Sequence, residues 1–214
     1  MDFHYTYIIM AFGLVLTGHF INLIAFTSLI IIHEFGHVIT ATIYKYRIKK
    51  ITIYPYGGIT EFDTLVNTKI EKDLLIAISG IIFQSIYFYT IFFLYRNGII
   101  REYTYNLFFT YHNSMLLFNV LPIIPLDGSK IINLIFSKYL NLNFSNNLTV
   151  LISFITLSMI LIGGIYEKNY SMVMVVFILL QNIWNYYKKI EYIYNKFVLE
   201  RYLYNIKYKS FKII

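Results

Sequence analysis

Long apolar stretches alternate with short polar ones along this chain. Asp, Glu, Lys and Arg are all missing from residues 3–33, 74–95, 103–126, 139–166 and 169–187. A helix that crosses the hydrocarbon core of a bilayer takes about 20 apolar residues, and every one of these stretches approaches or exceeds that length. The first is too long for one helix, and Gly18-His19 with Asn22 offers a tight break. The pattern predicts spans over about 3–18, 20–44, 73–95, 103–121, 147–165 and 170–187. Pro122 and Pro125 end the fourth, because neither can extend a helical ladder. A short helix over 128–140 is expected in the loop that follows.

Residues 48–62, Ile48-Lys-Lys-Ile-Thr-Ile-Tyr-Pro-Tyr-Gly-Gly-Ile-Thr-Glu-Phe62, have a different texture. They are β-branched and aromatic, alternate polar with apolar positions, and carry Pro55 and Gly57-Gly58 at their middle. That pattern predicts a short β-hairpin beside the membrane. The expected fold class is an all-α polytopic membrane protein of about six transmembrane helices with a small membrane-proximal β-hairpin. Residues 1–187 form the six-span domain, and 188–214 form a basic amphipathic cytoplasmic tail with apolar positions at Ile190, Ile193, Phe197 and Tyr204. Such a tail can lie on an anionic membrane surface.

Composition agrees with the pattern. Hydrophobic residues make up 58% of the 214 and charged residues only 14%, where a soluble domain carries about a quarter. A soluble enzyme, a disordered chain and a secreted disulfide scaffold are excluded; with no Cys there is also no thiolate or redox chemistry. The net charge of +7 does not point to nucleic acid, because its distribution follows the predicted spans. Residues 188–214 hold seven Lys/Arg and two Glu, and Lys45, Arg47, Lys49 and Lys50 cluster after the second span. With both termini cytoplasmic, fifteen basic residues fall inside and three (Arg96, Arg101 and Lys168) outside, the asymmetry that orients polytopic proteins. The N-terminus lacks a basic n-region and a cleavage site, so residues 5–18 read as a first span and not as a signal peptide.

Two acids interrupt the exclusion of charge. Glu34 lies in the second span within His33-Glu34-Phe35-Gly36-His37, and Asp127 follows the fourth. An ionisable group at membrane depth is costly and marks a functional candidate. On a helix the two His sit at i and i+4 on one face, where two imidazole nitrogens can converge on one metal ion. Glu34 lies beside them, placed to take a proton from an attacking water. At 1.5 Å per residue, His37 and His33 stand roughly 12 and 18 Å along the helix from Lys45, within the cytoplasmic half of the bilayer. A catalytic zinc usually takes three protein ligands and keeps one position open. Without Cys or a third helical His, a carboxylate is needed, and Asp127 is the candidate. It sits in Asn119-Val-Leu-Pro-Ile-Ile-Pro-Leu-Asp-Gly128, where two prolines break the helix at depth and free backbone groups that must line a cavity or protein interior. The competing reading is that Asp127 caps the helix beginning at Gly128, and the two roles can coexist.

The His-Glu-x-x-His on a span, the Asn-x-x-Pro-x-x-Pro-Leu-Asp-Gly segment two spans later and the Pro-x-Gly-Gly hairpin between them together resemble the site-2 protease family of intramembrane zinc metalloproteases (peptidase M50). Within it, Arg47-Ile-Lys-Lys, Tyr54-Pro-Tyr-Gly-Gly58, Tyr111 through Lys130 and Leu199-Glu-Arg-Tyr202 resemble a branch that acts in sporulation. The resemblance implies one Zn2+ held by His33, His37 and Asp127, with Glu34 as general base in peptide-bond hydrolysis within the membrane. It also implies Asn119 as a donor to the substrate carbonyl or oxyanion; a lone amide in a span suits that role, and an interhelical hydrogen bond is the alternative. The partners it implies are a membrane-associated substrate, the pro-sequence of a sporulation sigma factor, and inhibitory membrane proteins. The location it implies is the mother-cell membrane around the forespore. Relatives continue into a nucleotide-sensing CBS domain that residues 188–214 do not contain. Where family members often carry Gly-Pro and an Asn in the third span, this chain has Ser79-Gly80-Ile81-Ile82-Phe83-Gln84, and no role is expected of that segment. Asp-Gly-Gly becomes Asp127-Gly128-Ser129.

The hairpin is expected to offer an edge, either Ile51–Tyr54 or Gly58–Phe62, on which an unwound substrate pairs by strand addition. His4 and His19 fall near span ends, and His112, two turns before Asn119, is expected to be a hydrogen-bonded structural residue. Two other function classes compete: a divalent-metal transporter using the same ligands, and an inactive scaffolding relative. Glu34 beside the ligands speaks against both.

Overall fold

In the computed structural model, which describes residues 2–63 and 65–204, helices account for most of the chain and three strands for the rest of its regular structure. The order is β1 (Asp2–Phe3), α1 (Tyr5–Leu16), α2 (Phe20–Ile43), β2 (Arg47–Tyr54), β3 (Gly57–Asp63), α3 (Ile70–Arg96), α4 (Glu102–Val120), α5 (Asp127–Tyr139), α6 (Leu142–Tyr166) and α7 (Tyr170–Tyr204). Two compact units are formed, one from Met1–Asp63 with Ile78–Phe118 and one from Thr64–Ala77 with Asn119–Ile214. Among the described residues, α2, α3 and α6 are long and apolar enough to cross a membrane by length and composition. Apolar α1 has 12 residues, about 18 Å of helix against a hydrocarbon core of about 30 Å. Helices α4 and α7 are interspersed with amide, hydroxyl and phenol groups. Length and hydropathy thus single out three of the six expected spans.

In the first unit the expected break between the first two helices is made at Gly18, whose φ of +76° suits a residue without a Cβ. Helix α2 then buries Ala25, Leu29, His33, His37 and Ala41, five residues in successive i, i+4 steps along one ridge. The first two pack in a core with Tyr7, Ile30, Ile53, Ile91, Phe108 and Met115. One turn further on, the same ridge carries imidazoles. Gly36 lets α2 approach α3 closely, since a Cβ there would stand 2.7 Å from the Ser79 carbonyl oxygen and 2.9 Å from Phe83 Cβ.

The expected hairpin forms as β2 and β3, paired antiparallel from Arg47↔Asp63 to Tyr54↔Gly57 with an irregularity between Ile48 and Lys50. Gly57 closes the turn at φ +143°. The sheet gains a strand that the hydropathy pattern does not reveal: β1 pairs parallel to β2, Asp2↔Thr52 and Phe3↔Ile53. Two residues carry no periodicity, so only the tertiary pairing defines that strand.

The second unit is sewn together by polar side chains. Ser137 and Ser145 hydroxyls lie 2.9 Å apart, and Asn133 Nδ2 donates to Asn146 Oδ1 (2.9 Å) and Thr149 Oγ1 (3.0 Å). Tyr186 OH also donates to Asn146 Oδ1, at 3.1 Å. The prolines of the 119–126 segment free backbone groups that Ser153 satisfies, donating to the Pro122 carbonyl (3.0 Å) and accepting from the Ile124 amide (3.2 Å). Helix α6 begins at Leu142, earlier than expected, because Asn141 Oδ1 caps it by accepting from the Phe144 amide at 2.7 Å.

The expected tail is no separate element where it is described. Between Tyr170 and Tyr204 there is no Gly or Pro, and α7 runs unbroken through 35 residues. Its apolar face is covered by the chain itself: Phe197 packs with Ile70 and Leu142, flanked by Val66, Leu134, Ile193 and Tyr194. Tyr204 is exposed, and residues 205–214 lie outside the described residues. Buried Glu200 accepts from the backbone amides of Val66 (2.7 Å) and Asn67 (3.0 Å), while the Asn67 side chain donates to the Phe197 carbonyl (2.8 Å) and accepts from Arg201 Nε (2.9 Å). This clasp fastens the segment before α3 to α7. Replacing Glu200 with Ala strands two backbone donors at about 1–3 kcal/mol each and should lower the thermal midpoint of the detergent-solubilised protein by several degrees. Glu200→Gln, which keeps an acceptor, should lower it less.

Candidate metal centre

The α2 ridge brings together three of the expected site residues. His33, Glu34 and His37 are 2%, 3% and 4% exposed, and one ligand atom from each lies within 4.8 Å of the others. The two imidazoles meet edge to face with Nε2 atoms 3.2 Å apart. Two nitrogens bound to one tetrahedral zinc at about 2.0–2.1 Å stand about 3.3–3.4 Å apart, so this donor pair fits a metal with almost no movement. The space beside them exists because α3 presents a glycine. A Cβ on Gly80 would stand 2.5 Å from His37 Nε2 and 2.7 Å from His33 Nε2, in the place where both nitrogens converge.

Glu34 is held from the hairpin. Thr60 Oγ1 on β3 donates to Glu34 Oε2 at 2.6 Å, which fixes the carboxylate rotamer beside the imidazoles. Gly58 makes the approach possible, as a Cβ there would fall 2.5 Å from Glu34 Cδ and 2.6 Å from its Oε1. The hairpin glycines therefore serve the carboxylate as well as the turn. On the other side, His33 Nδ1 lies 3.0 Å from Gln84 Oε1 on α3. The sequence pattern marks Gly58 as a hairpin glycine but not as a neighbour of Glu34, and it gives Thr60, Gly80 and Gln84 no place at the site. Gln84 carried a signal all the same: it is a lone amide within the charge-free stretch 74–95, and polar groups at that depth need partners.

Asp127 and Asn119 belong to the second unit. Asp127 is the first residue of α5, buried, with Oδ1 2.9 Å from Lys130 Nζ one turn on. The helix starts at Asp127 itself with Leu126 in the capping position, so the expected start at Gly128 moves by one residue. Gly128 admits the chain folded over it, since a Cβ there would collide with the carbonyl oxygens of Val120 and Leu121. Asn119 is buried near the end of α4. His112 stacks flat on Phe88, ring centroids 4.4 Å apart and planes 5° from parallel, the structural setting expected of it. His4 and His19 precede α1 and α2.

A buried pair of imidazoles with an adjoining carboxylate on an apolar helix, covered by a glycine-bearing hairpin, defines a membrane-embedded metallopeptidase. The profile of peptidase family M50 matches residues 21–107. Stage IV sporulation protein FB of Bacillus subtilis (strain 168) is 31% identical over 200 residues, 92% of this chain and 69% of that protein. A zinc metalloprotease of Methanocaldococcus jannaschii is 27% identical over 149 residues, 68% of this chain and 43% of that one. The solved site-2 protease from Methanocaldococcus jannaschii shares the fold, with a TM-score of 0.69 over 86% of this chain and 88% of that structure at 23% identity. The chain belongs to peptidase family M50. It is an integral membrane metalloprotease.

Gly80→Ala should bring the purified protein's bound metal to background, because the added methyl occupies the point where the two Nε2 atoms converge. Helix content by circular dichroism should stay unchanged.

Proposed function

We propose that this chain cuts a peptide bond of a membrane-associated protein near the cytoplasmic face of the bilayer, using one zinc ion held by His33, His37 and Asp127. The observation that carries this reading is the buried approach of His33 Nε2 and His37 Nε2 to 3.2 Å with the Glu34 carboxylate beside them. Asp127 completes a three-ligand set, supported by its place after the proline-broken helix and by the lack of Cys or a third His on α2. The six spans with both termini inside are supported by the fifteen-to-three distribution of basic residues. Likeness to a sporulation protein supports a finer reading, in which the substrate is the pro-sequence of a sporulation sigma factor. The enzyme would then sit in the mother-cell membrane around the forespore, restrained by inhibitory membrane proteins.

When bound, zinc supplies Lewis acidity toward the scissile carbonyl and the attacking water. Glu34 takes the proton from that water and delivers it to the leaving amide nitrogen. Thr60 holds one carboxylate oxygen and so keeps the base aimed. Asn119 donates to the substrate carbonyl as negative charge develops there. The substrate must be extended to expose its carbonyl. Of the two edges expected for its docking, β1 covers the centre of Ile51–Tyr54, which leaves β3, an edge strand of the sheet. A peptide added alongside β3 lies next to Thr60 and thus next to Glu34.

Zinc content and cleavage of a co-expressed membrane-anchored substrate test the reading together. Glu34→Gln should keep its zinc and lose about 10²–10⁴-fold in cleavage, the usual weight of a general base; Asp127→Ala should lose both. Cleavage that survives in Glu34→Gln overturns the mechanism. Prolines at alternate β3 positions should abolish cleavage with zinc content unchanged, and intact cleavage there removes the docking role of that edge.

A further inference from the structure

Gln84 lies in the middle of α3, fully buried, in the segment from which no role was expected. Its amide bridges two histidines. Oε1 lies 3.0 Å from His33 Nδ1, and Nε2 lies 3.1 Å from the backbone carbonyl oxygen of His112 and 3.2 Å from His112 Nδ1. The backbone carbonyl decides the orientation of this amide. A carbonyl oxygen only accepts, so the end of Gln84 that faces it must be the NH2 group, and the end that faces His33 must be the oxygen. An oxygen acceptor in turn requires the proton of His33 to sit on Nδ1. In the neutral imidazole the lone pair is then on Nε2, the atom that faces His37 Nε2.

We propose that Gln84 is a positioning residue that selects the metal-binding tautomer of His33 and fixes the plane of its ring. His112, clamped flat against Phe88, anchors the amide in turn. The proposal rests on the reading of His33 as a metal ligand. Ligating histidines commonly give their second nitrogen to a carboxylate, carbonyl or water; here the neutral amide of a membrane helix does it, and no further charge is brought into the apolar interior. The requirement also accounts for the length of the side chain at position 84. The amide must span from one helix's imidazole to another helix's backbone with both ends paired, since an unmatched end at that depth costs about 1–3 kcal/mol.

The test uses the full chain in detergent. Zinc affinity is measured by competition with a chromophoric chelator for the wild type, Gln84→Leu, Gln84→Glu and His33→Ala. In parallel, the His33 tautomer of the metal-free wild type is read from long-range ¹⁵N–¹H NMR spectra of histidine-labelled protein. The expected results are Nδ1-protonated His33 in the wild type, zinc binding weakened about 10- to 100-fold in Gln84→Leu, and affinity restored to near wild type in Gln84→Glu, whose carboxyl group keeps an oxygen that accepts from His33 and, as the acid, a hydroxyl that donates to the His112 carbonyl. The proposal is overturned if His33 is protonated on Nε2, or if Gln84→Leu binds zinc as tightly as the wild type. It is also overturned if Leu and Glu at position 84 weaken binding equally. The tautomer measurement needs no variant, so misfolding of Gln84→Leu does not shield the proposal. Equal zinc affinity in His33→Ala and wild type would instead remove the ligand reading on which the proposal stands.

Discussion

Everything around the site follows from burying two imidazoles and a carboxylate in an apolar helix. None of the three can turn to water, so each must be met by a protein partner or by a metal. Their surroundings show how each demand is answered in the first unit: Gln84 for the outer nitrogen of His33, Thr60 for one oxygen of Glu34, and the mutual approach of the two Nε2 atoms at the centre. A group left over at any of these points would cost more than most single contacts in the fold contribute. The same demand extends outward, since Gln84 must find a second partner of its own and finds it in the backbone of α4.

Close approach is the second condition, and in the first unit glycine meets it three times. Gly36 brings α2 against α3, Gly80 leaves room where the imidazole nitrogens converge, and Gly58 lets the hairpin rest on the Glu34 side chain. Small residues at helix contacts are the usual means of packing in membranes, where lipid offers no hydrophobic driving force between helices. Here each glycine also serves the chemistry, because a methyl group at any of the three would displace a functional atom or the helix that carries it. The second unit solves its own packing with hydroxyl and amide groups along α5 and α6 and with the Glu200 clasp on α7.

A protease buried in a bilayer must bring both water and an extended peptide to a place that favours neither. A candidate metal site in the C-terminal half of α2 and a sheet edge carrying Thr60 would answer the two needs with neighbouring residues. Strand addition satisfies the substrate's backbone while exposing its carbonyl. In the proposed docking, the strand that would accept the peptide also holds the base, so docking and chemistry would be joined through one short stretch, Gly58 to Thr60.

The sequence by itself determined the membrane class, the helix boundaries near Gly18 and Pro122, the hairpin over residues 48–62, and the His33–Glu34–His37 constellation. These are readable because they rest on local rules: charge is excluded from apolar helices, proline stops a ladder, and i, i+4 residues share a face. Only the tertiary structure decided that Asp2–Phe3 joins the sheet, that α7 continues past residue 188 with Phe197 and Glu200 packed inward, and that Gln84 and Thr60 meet the site. Each of those depends on a partner distant in the chain, 51 residues between His33 and Gln84 and 26 between Glu34 and Thr60. No periodicity within one helix or strand encodes such a meeting. It is fixed when the helices and the hairpin pack closely enough for Gln84 to reach His33 and for Thr60 to reach Glu34.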